Sequence, residues 1–331
     1  MKAIILADNN RFEIQQVPIP VPADGQIQVQ LHAAAFNPID FQMRNGATER
    51  KRMHSRILGR EGAGIITAIG AGVSGFRVGE EVWMAAGSMG SNGTFTEYVV
   101  VPQEILAHKP ATLSFEAAAA MPITALTALQ CYERLRPDTT DRILICGAAG
   151  GVGNPLTRLL LARGHQQLTA TAGNPESHRQ LQHIGLPANA IVNYNTTAVK
   201  AQLLSANDNL PFDHVVDLVG GPMSELSAAV LKINGTYVDV TALTTTTARE
   251  QLFNTGATIL NISNYAYAQP GKYHYYGSQL EKIAALLYEG ALQPPPIRII
   301  GPLSAATVDT ALSQLQQNKS QGHKLVMTIT S

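Results

Sequence analysis

Residues 142–164 read RILIC-GAAGGVG-NPLTRLLLARG, and their types suit the holding of a phosphate. Four apolar residues run straight into the turn Gly147–Gly153, and an amphipathic helical pattern follows at once. Glycines let the backbone turn tightly and let a pyrophosphate come close to the main chain. The helix N-terminus then offers N–H groups and a positive dipole end. Pro155 falls in the first helical turn, where a missing N–H costs little. Ala149, Gly150, Gly151 and Val152 are the expected contacts. The turn is not a strict GxGxxG, and the same pattern also serves a plain strand-to-helix connection. Its place inside an alternating α/β region favours dinucleotide binding.

The next segment reads TATAGNPESHR over residues 169–179. An enzyme selective for NAD usually carries Asp or Glu about 20 residues past the first glycine, for the ribose 2′-hydroxyl. Here the strand ends in Ala172-Gly173, with no carboxylate to repel a 2′-phosphate. Thr171 and Gly173 line this end. Ser177 and Arg179 follow within a helical turn as donors, against the opposing charge of Glu176. NADPH is therefore expected over NADH, with Arg179 as a solvent-facing helical arginine the competing reading.

These segments need a scaffold. Short runs rich in β-branched residues at 142–146, 167–171, 190–194, 214–219, 235–240 and 257–262 alternate with helical patterns. Such alternation predicts a doubly wound parallel sheet covered on both faces, with ligands at the strands' C-terminal ends. Val219, Gly220 and Thr241 fall at two of those ends. The first third is different: strands are expected at 2–6, 12–17, 27–35, 62–69 and 95–101, punctuated by Pro and Gly. Ser114 is placed to cap a helix. A helix is expected near 278–288, another near 304–318, and a last strand at 324–329.

Composition excludes several classes. Lys+Arg and Asp+Glu are both 24 in 331 residues, so no broad electrostatic footprint for nucleic acid or an anionic membrane is present. The densest basic stretch is Arg50, Lys51, Arg52, His54 and Arg56, read as a solvated loop or an anion-attracting rim. Cys131 and Cys146 are the only cysteines, and their spacing builds no zinc lobe. The apolar stretch 117–129 is too short to span a bilayer. These features predict a soluble, cytoplasmic protein.

Three further stretches carry a resemblance: Phe36-Asn37-Pro38-Ile39-Asp40-Phe41 with Arg44-Asn45-Gly46; Gly59-Arg60-Glu61-Gly62-Ala63-Gly64; and Ala120-Met121-Pro122-Ile123-Thr124-Ala125-Leu126-Thr127-Ala128. With the glycine turn, in this order, the chain resembles the medium-chain dehydrogenase/reductase superfamily and within it the zinc-free quinone oxidoreductases, the zeta-crystallin-like group. The resemblance implies an α/β protein: a Rossmann domain, 117–270, and a GroES-like β-rich substrate domain, 1–116 with 271–331. Zinc-dependent members carry Cys and His where this chain has Asn37 and Arg60, so no metal is expected. Glu61 is left to pair with Arg60 or another nearby base. The resemblance places Asn37 and Asp40 beside the nicotinamide as catalytic residues and Thr127 at its carboxamide. It also places Tyr194 near the adenosine phosphate and Lys324 as a basic residue returning to the cleft.

Without zinc no Lewis acid polarises an alcohol or carbonyl. The expected reaction is hydride transfer from NADPH to a quinone. The alternatives are reduction of conjugated enones or enals, and a nucleotide-binding crystallin-like protein without turnover. Relatives that reduce enoyl thioesters carry Tyr just after the glycine matching Gly46, where this chain has Ala47. The proton donor is left open among His54, Tyr265, Tyr267, the tyrosines of 273–276 and water. The apolar strand Ala257–Ile262 would be an exposed sheet edge, and in the resembling family it pairs across a homodimer.

Overall fold

A computed structural model of the chain describes residues 1–46, 50, 55–86, 93–269 and 271–329. Ala47, Lys51, Arg52 and His54, singled out above, lie outside the described residues. Two compact units are present: Met1–Leu126 with Tyr265–Glu289 and Pro294–Ser331, and Thr127–Asn264 with Gly290–Gln293.

The first unit is β-rich. Strands β1 (Lys2–Leu6) and β2 (Phe12–Gln16) form an antiparallel pair. Strand β3 (Gln26–Ala35) buries Ile27, Val29 and Leu31 on one face, as a period of two requires. Helix α1 (Pro38–Arg44) follows, with proline in its first turn. Strands β4 (Glu61–Ile69), β5 (Glu81–Ala85), β6 (Tyr98–Pro102) and β7 (Leu106–His108) extend the sheet. Gly64 on β4 lets the strands approach: a Cβ there would stand 2.0 Å from the Gln30 carbonyl oxygen.

Helix α2 (Phe115–Ala119) is capped by Ser114, whose Oγ accepts from Ala117 N at 3.2 Å. It packs on β3 and β4. The first unit therefore runs on to Leu126, ten residues past the expected edge at 116, and the division falls inside helix α3 (Pro122–Leu135).

The second unit holds strands β8 (Ile143–Cys146), β9 (Leu168–Ala172), β10 (Ile191–Asn193), β11 (Phe212–Asp217), β12 (Leu231–Asp239) and β13 (Thr258–Asn261). They form one parallel sheet in the order β10-β9-β8-β11-β12-β13. This is the doubly wound order, with its reversal between β8 and β11. Helices α4 (Gly153–Ala162), α5 (Pro175–Ile184), α6 (Val199–Ser205), α7 (Pro222–Val230) and α8 (Thr246–Asn254) connect the strands. Successive residues of β8 serve opposite faces: Ile143 and Ile145 join the core with Leu156 and Leu160, while Leu144 and Cys146 join Phe212, Val215 and Tyr237. Both cysteines are buried and free, and burial pushes their thiols up to about 12.

The chain re-enters the first unit at Tyr265. It adds α9 (His274–Tyr288), β14 (Ile297–Pro302), α10 (Ala305–Gln316) and β15 (Lys324–Thr328). Strand β15 pairs with β14 in parallel and with β3 antiparallel, giving a seven-stranded sheet. That pairing sets Lys324, at the start of β15, among residues of the α1 and β4 ends. No described helix is long and apolar enough to cross a membrane.

Candidate functional site

The glycine turn is built as its sequence demands. Gly147 adopts φ +84°, and its N–H donates to Thr171 Oγ1 at 3.1 Å. Thr171, expected to touch the cofactor, is buried and fixes the turn. A Cβ on Gly153 would lie 2.4 Å from the Gly147 carbonyl oxygen, so only glycine allows α4 to start this close to β8. Gly150 is exposed at the head of α4, and Gly151 and Val152 are half-exposed. The Ala149 side chain is buried beneath them in the core, which leaves its main chain for contact. Exposed main chain at a helix N-terminus is what a pyrophosphate needs.

Beyond β9 the Tyr194 ring packs directly on Gly173: a Cβ at Gly173 would stand 2.2 Å from Tyr194 Oη. Asn174 caps α5, its Oδ1 accepting from Ser177 N at 2.8 Å. Ser177 is buried in that first turn. Arg179 is exposed and lies 2.5 Å from Glu176 Oε2, so the two charges on α5 face each other. An exposed pair of this kind is worth well under about 1 kcal/mol and yields readily to a stronger anion.

Two buried carboxylates shape the next strand ends, and sequence reading missed both. Asp217 Oδ1 accepts from Val219 N at 2.9 Å and Gly220 N at 2.8 Å, while Oδ2 accepts from Tyr237 Oη at 2.7 Å. Asp239 repeats the device one strand over, accepting from Thr241 N at 3.1 Å and Ala242 N at 2.8 Å. Thr244 Oγ1 donates to Asp239 Oδ2 at 2.6 Å. Val219 is left half-exposed beside Gly147, and Thr241 Oγ1 comes close to Gly220. The signal was available: an Asp ending a strand, followed by Gly or Thr, is a local side-chain-to-backbone turn. Thr127, on α3, receives a hydrogen bond from Asn264 Nδ2 at 2.9 Å, a partner that sequence reading also missed.

The first unit carries a buried polar cluster. Asn37 Nδ2 donates to Glu61 Oε1 at 2.7 Å, and Lys324 Nζ lies 2.6 Å from both Asn37 Oδ1 and Glu61 Oε1. Glu61 Oε2 accepts from the main-chain N–H of Ile123, in the first turn of α3, at 2.7 Å. Lys324, expected among the cofactor contacts, is thus the base that Glu61 pairs with. Arg60 turns elsewhere: Nη2 donates to Tyr265 Oη at 2.5 Å and to Met43 Sδ at 3.0 Å. Asp40 Oδ2 caps α1 by accepting from Asn37 N at 2.8 Å, but Oδ1 is buried without a hydrogen-bond partner. Loss of hydration raises the Asp40 carboxyl to about 6, against the pull of Arg60 and Lys324.

The donor set does not suit zinc. It holds two carboxylates, Glu61 with both oxygens engaged and Asp40 with one oxygen capping α1, beside an amide, a guanidinium and an ammonium, and cations in that shell repel a metal. Among the described residues no group of three or more His, Cys, Asp or Glu converges.

Two family models match the chain: an alcohol dehydrogenase GroES-like domain over residues 23–111 and a zinc-binding dehydrogenase over residues 186–326. The chain is 32% identical to the mitochondrial NAD(P)H oxidoreductase RTN4IP1 of Bos taurus, over 85% of this chain and 77% of that protein. Among solved structures, an alcohol dehydrogenase superfamily protein from Novosphingobium aromaticivorans superposes with a TM-score of 0.87 at 27% identity, over the whole of both chains. The quinone oxidoreductase from Coxiella burnetii superposes with a TM-score of 0.83 at 26% identity, over 99% of this chain and 98% of that one. The Bos taurus relative and its Homo sapiens counterpart are mitochondrial by name, which overturns the cytoplasmic expectation. Two buried thiols do not separate one reducing compartment from another.

Proposed function

Since the chain belongs to the medium-chain dehydrogenase/reductase superfamily and is quinone-oxidoreductase-like, we propose that it transfers hydride from NADPH to a quinone without a metal. The observation that carries this reading is the cluster of Asn37, Glu61 and Lys324. Where zinc-dependent members bind a Lewis acid, this chain places an ammonium paired to a buried carboxylate. An acceptor that takes hydride without metal activation fits such a site, and a quinone is one.

The reduced nicotinamide supplies the hydride when bound, and this chain's residues bind and orient it. The main chain of Gly150, Gly151 and Val152 takes the pyrophosphate. Thr127, held by Asn264, faces the carboxamide. The end of β9, without a carboxylate and bounded by Gly173, Tyr194 and Ser177, takes the 2′-phosphate. Arg179 exchanges its exposed partner Glu176 for that phosphate.

Anaerobic oxidation of NADPH and NADH against a panel of quinones and a panel of enones tests the reading. Turnover with quinones and a tenfold or greater preference for NADPH is expected. Turnover confined to enones moves the acceptor class to conjugated carbonyls. Tight binding of NADPH with no acceptor used leaves a nucleotide-binding protein.

A further inference from the structure

Tyr237 lies in β12 with no exposed surface, yet its hydroxyl joins Asp217 directly and Asp239 through Thr244. We propose that Tyr237 is a positioning residue: it ties the loops that follow β11 and β12 into one rigid lip, against which the nicotinamide half of the dinucleotide is held. This rests on the nucleotide-binding reading above.

Asp217 and Asp239 are register partners on neighbouring parallel strands, so their carboxylates stand side by side at the C-terminal edge of the sheet. In each, Oδ1 holds its own loop through two main-chain N–H groups, those of Val219 and Gly220 or of Thr241 and Ala242. The two Oδ2 atoms are left for a bridge between the loops. It runs Asp217 Oδ2, Tyr237 Oη, Thr244 Oγ1, Asp239 Oδ2, in steps of 2.7, 3.3 and 2.6 Å. Its two hydroxyl hydrogens serve the two carboxylates. Burial and the charge of Asp217 push the Tyr237 phenol well above its ordinary range, so the hydroxyl keeps its hydrogen.

The main chain closes the same seam. Gly221 N donates to the Leu243 carbonyl oxygen at 2.9 Å, and Thr245 N donates to Ser224 Oγ at 3.1 Å. Thr245 Oγ1 donates to Glu225 Oε1 at 2.9 Å. A Cβ on Gly220 would stand 2.6 Å from both Thr241 Oγ1 and Leu243 Cβ, so the loops pack without a gap. Above this fixed base the tips are open, with Val219 45% and Leu243 54% exposed.

The sheet order says which half of the ligand meets this lip. Strand β8, which feeds the glycine turn, stands at the reversal, with β9 and β10 on one side and β11 and β12 on the other. A dinucleotide bound across such a reversal lays its two halves on opposite sides of it. The adenosine half goes to the β9 side, with Gly173 and Tyr194, so the nicotinamide half goes to β11 and β12. A Cβ on Gly147 would stand 3.0 Å from Val219 Cγ2, so the lip begins at the phosphate turn itself.

Calorimetry on wild type, Tyr237→Phe, Thr244→Val and the double variant compares NADPH with 2′,5′-ADP, which is the adenosine half alone. NADH with ADP gives the same comparison for a protein that prefers NADH. Tyr237→Phe leaves Asp217 Oδ2 buried without its donor, and dinucleotide binding weakens about tenfold. Thr244→Val weakens it about fivefold. Thr244 is half-buried, so this variant tests the lip even where Tyr237→Phe does not fold. Binding of the adenosine half stays within about twofold in every variant, which a general loosening of the domain would not allow. The double variant loses about as much as Tyr237→Phe alone, since both hydroxyls serve one bridge. Equal weakening of the dinucleotide and its adenosine half, or no weakening of either, would overturn the assignment and leave nucleotide binding standing. Losses that multiply in the double variant would overturn the bridge. A wild type that binds none of the four nucleotides would remove the nucleotide-binding reading, and this assignment with it.

Discussion

Lys324 and Glu61 meet at 2.6 Å with side chains 6% and 0% exposed, a closed ion pair joining the start of β15 to the start of β4. Glu61 gains Asn37 Nδ2 and Ile123 N as further donors, so its charge is fully solvated by protein. Such a pair adds little over an apolar replacement, but breaking it leaves a naked charge. Lys324→Met is expected to cost about 3–5 kcal/mol of unfolding free energy in urea titrations. Lys324→Met with Glu61→Gln should recover a large part of that loss. Equal losses in the single and double variants would show that the pair is not coupled.

The same neighbourhood sets a pH dependence. Burial with an unpartnered Oδ1 raises Asp40 to about 6 in the folded state, above the ordinary carboxyl value of 3.8. The folded protein therefore holds this proton more tightly than the unfolded chain between about pH 4 and pH 6. Stability contributed here is full below pH 4 and is lost as pH rises through 6. Two pH units correspond to about 3 kcal/mol. Asp40→Asn keeps an oxygen for the Asn37 cap and carries no charge. It should flatten that decline and stand about 1–3 kcal/mol above wild type at pH 8, measured by denaturation across pH. An unchanged slope would remove Asp40 as its source.

On the nucleotide side, Gly173 and Tyr194 form a contact that permits no side chain. A Cβ on Gly173 would meet Tyr194 Oη at 2.2 Å and its Cζ at 2.4 Å, so the whole ring must leave. Gly173→Ala is expected to weaken NADPH binding about tenfold, read from nicotinamide fluorescence, with little change in melting temperature. Adding Tyr194→Ala removes the clash. If the double variant binds no better than Gly173→Ala, Tyr194 contributes to the ligand directly and not only through packing.

Local signals were the legible ones. The run from β8 through Gly147–Gly153 into α4 is contiguous, so residue type alone specifies strand, turn and helix. The alternation of strands and helices likewise specified the parallel sheet. Strand β5 escaped notice because Val82, Trp83, Met84 and Ala85 are buried in succession, with no alternation to reveal them. Strand β14 was masked by the prolines just before it, which read only as a helix stop. Helix α1 hid inside a stretch read for its chemistry, although Pro38 and Asp40 in its first turn are ordinary start signals. The contacts of Arg60 with Tyr265 and of Lys324 with Asn37 span 205 and 287 residues. No local pattern encodes pairings of that reach, since burial and topology bring them about.

Strand β13 ends the parallel sheet, and its Thr258–Asn261 segment is largely exposed, with Ile259 at 44%. It pairs with β12 on one side only, so its outer N–H and C=O groups form a template for another strand. No described proline or lysine within the strand blunts this edge. The expected occupant is β13 of a second copy, since a twofold axis through an edge strand joins two sheets into one and buries both apolar edges. Light scattering at micromolar concentration should give twice the chain mass. Ile259→Lys puts a charge on the edge and Ile259→Pro removes an N–H that faces away from β12, so each should shift the mass toward one chain. A wild-type protein that scatters as a monomer would leave the β13 edge without a partner and remove this assembly.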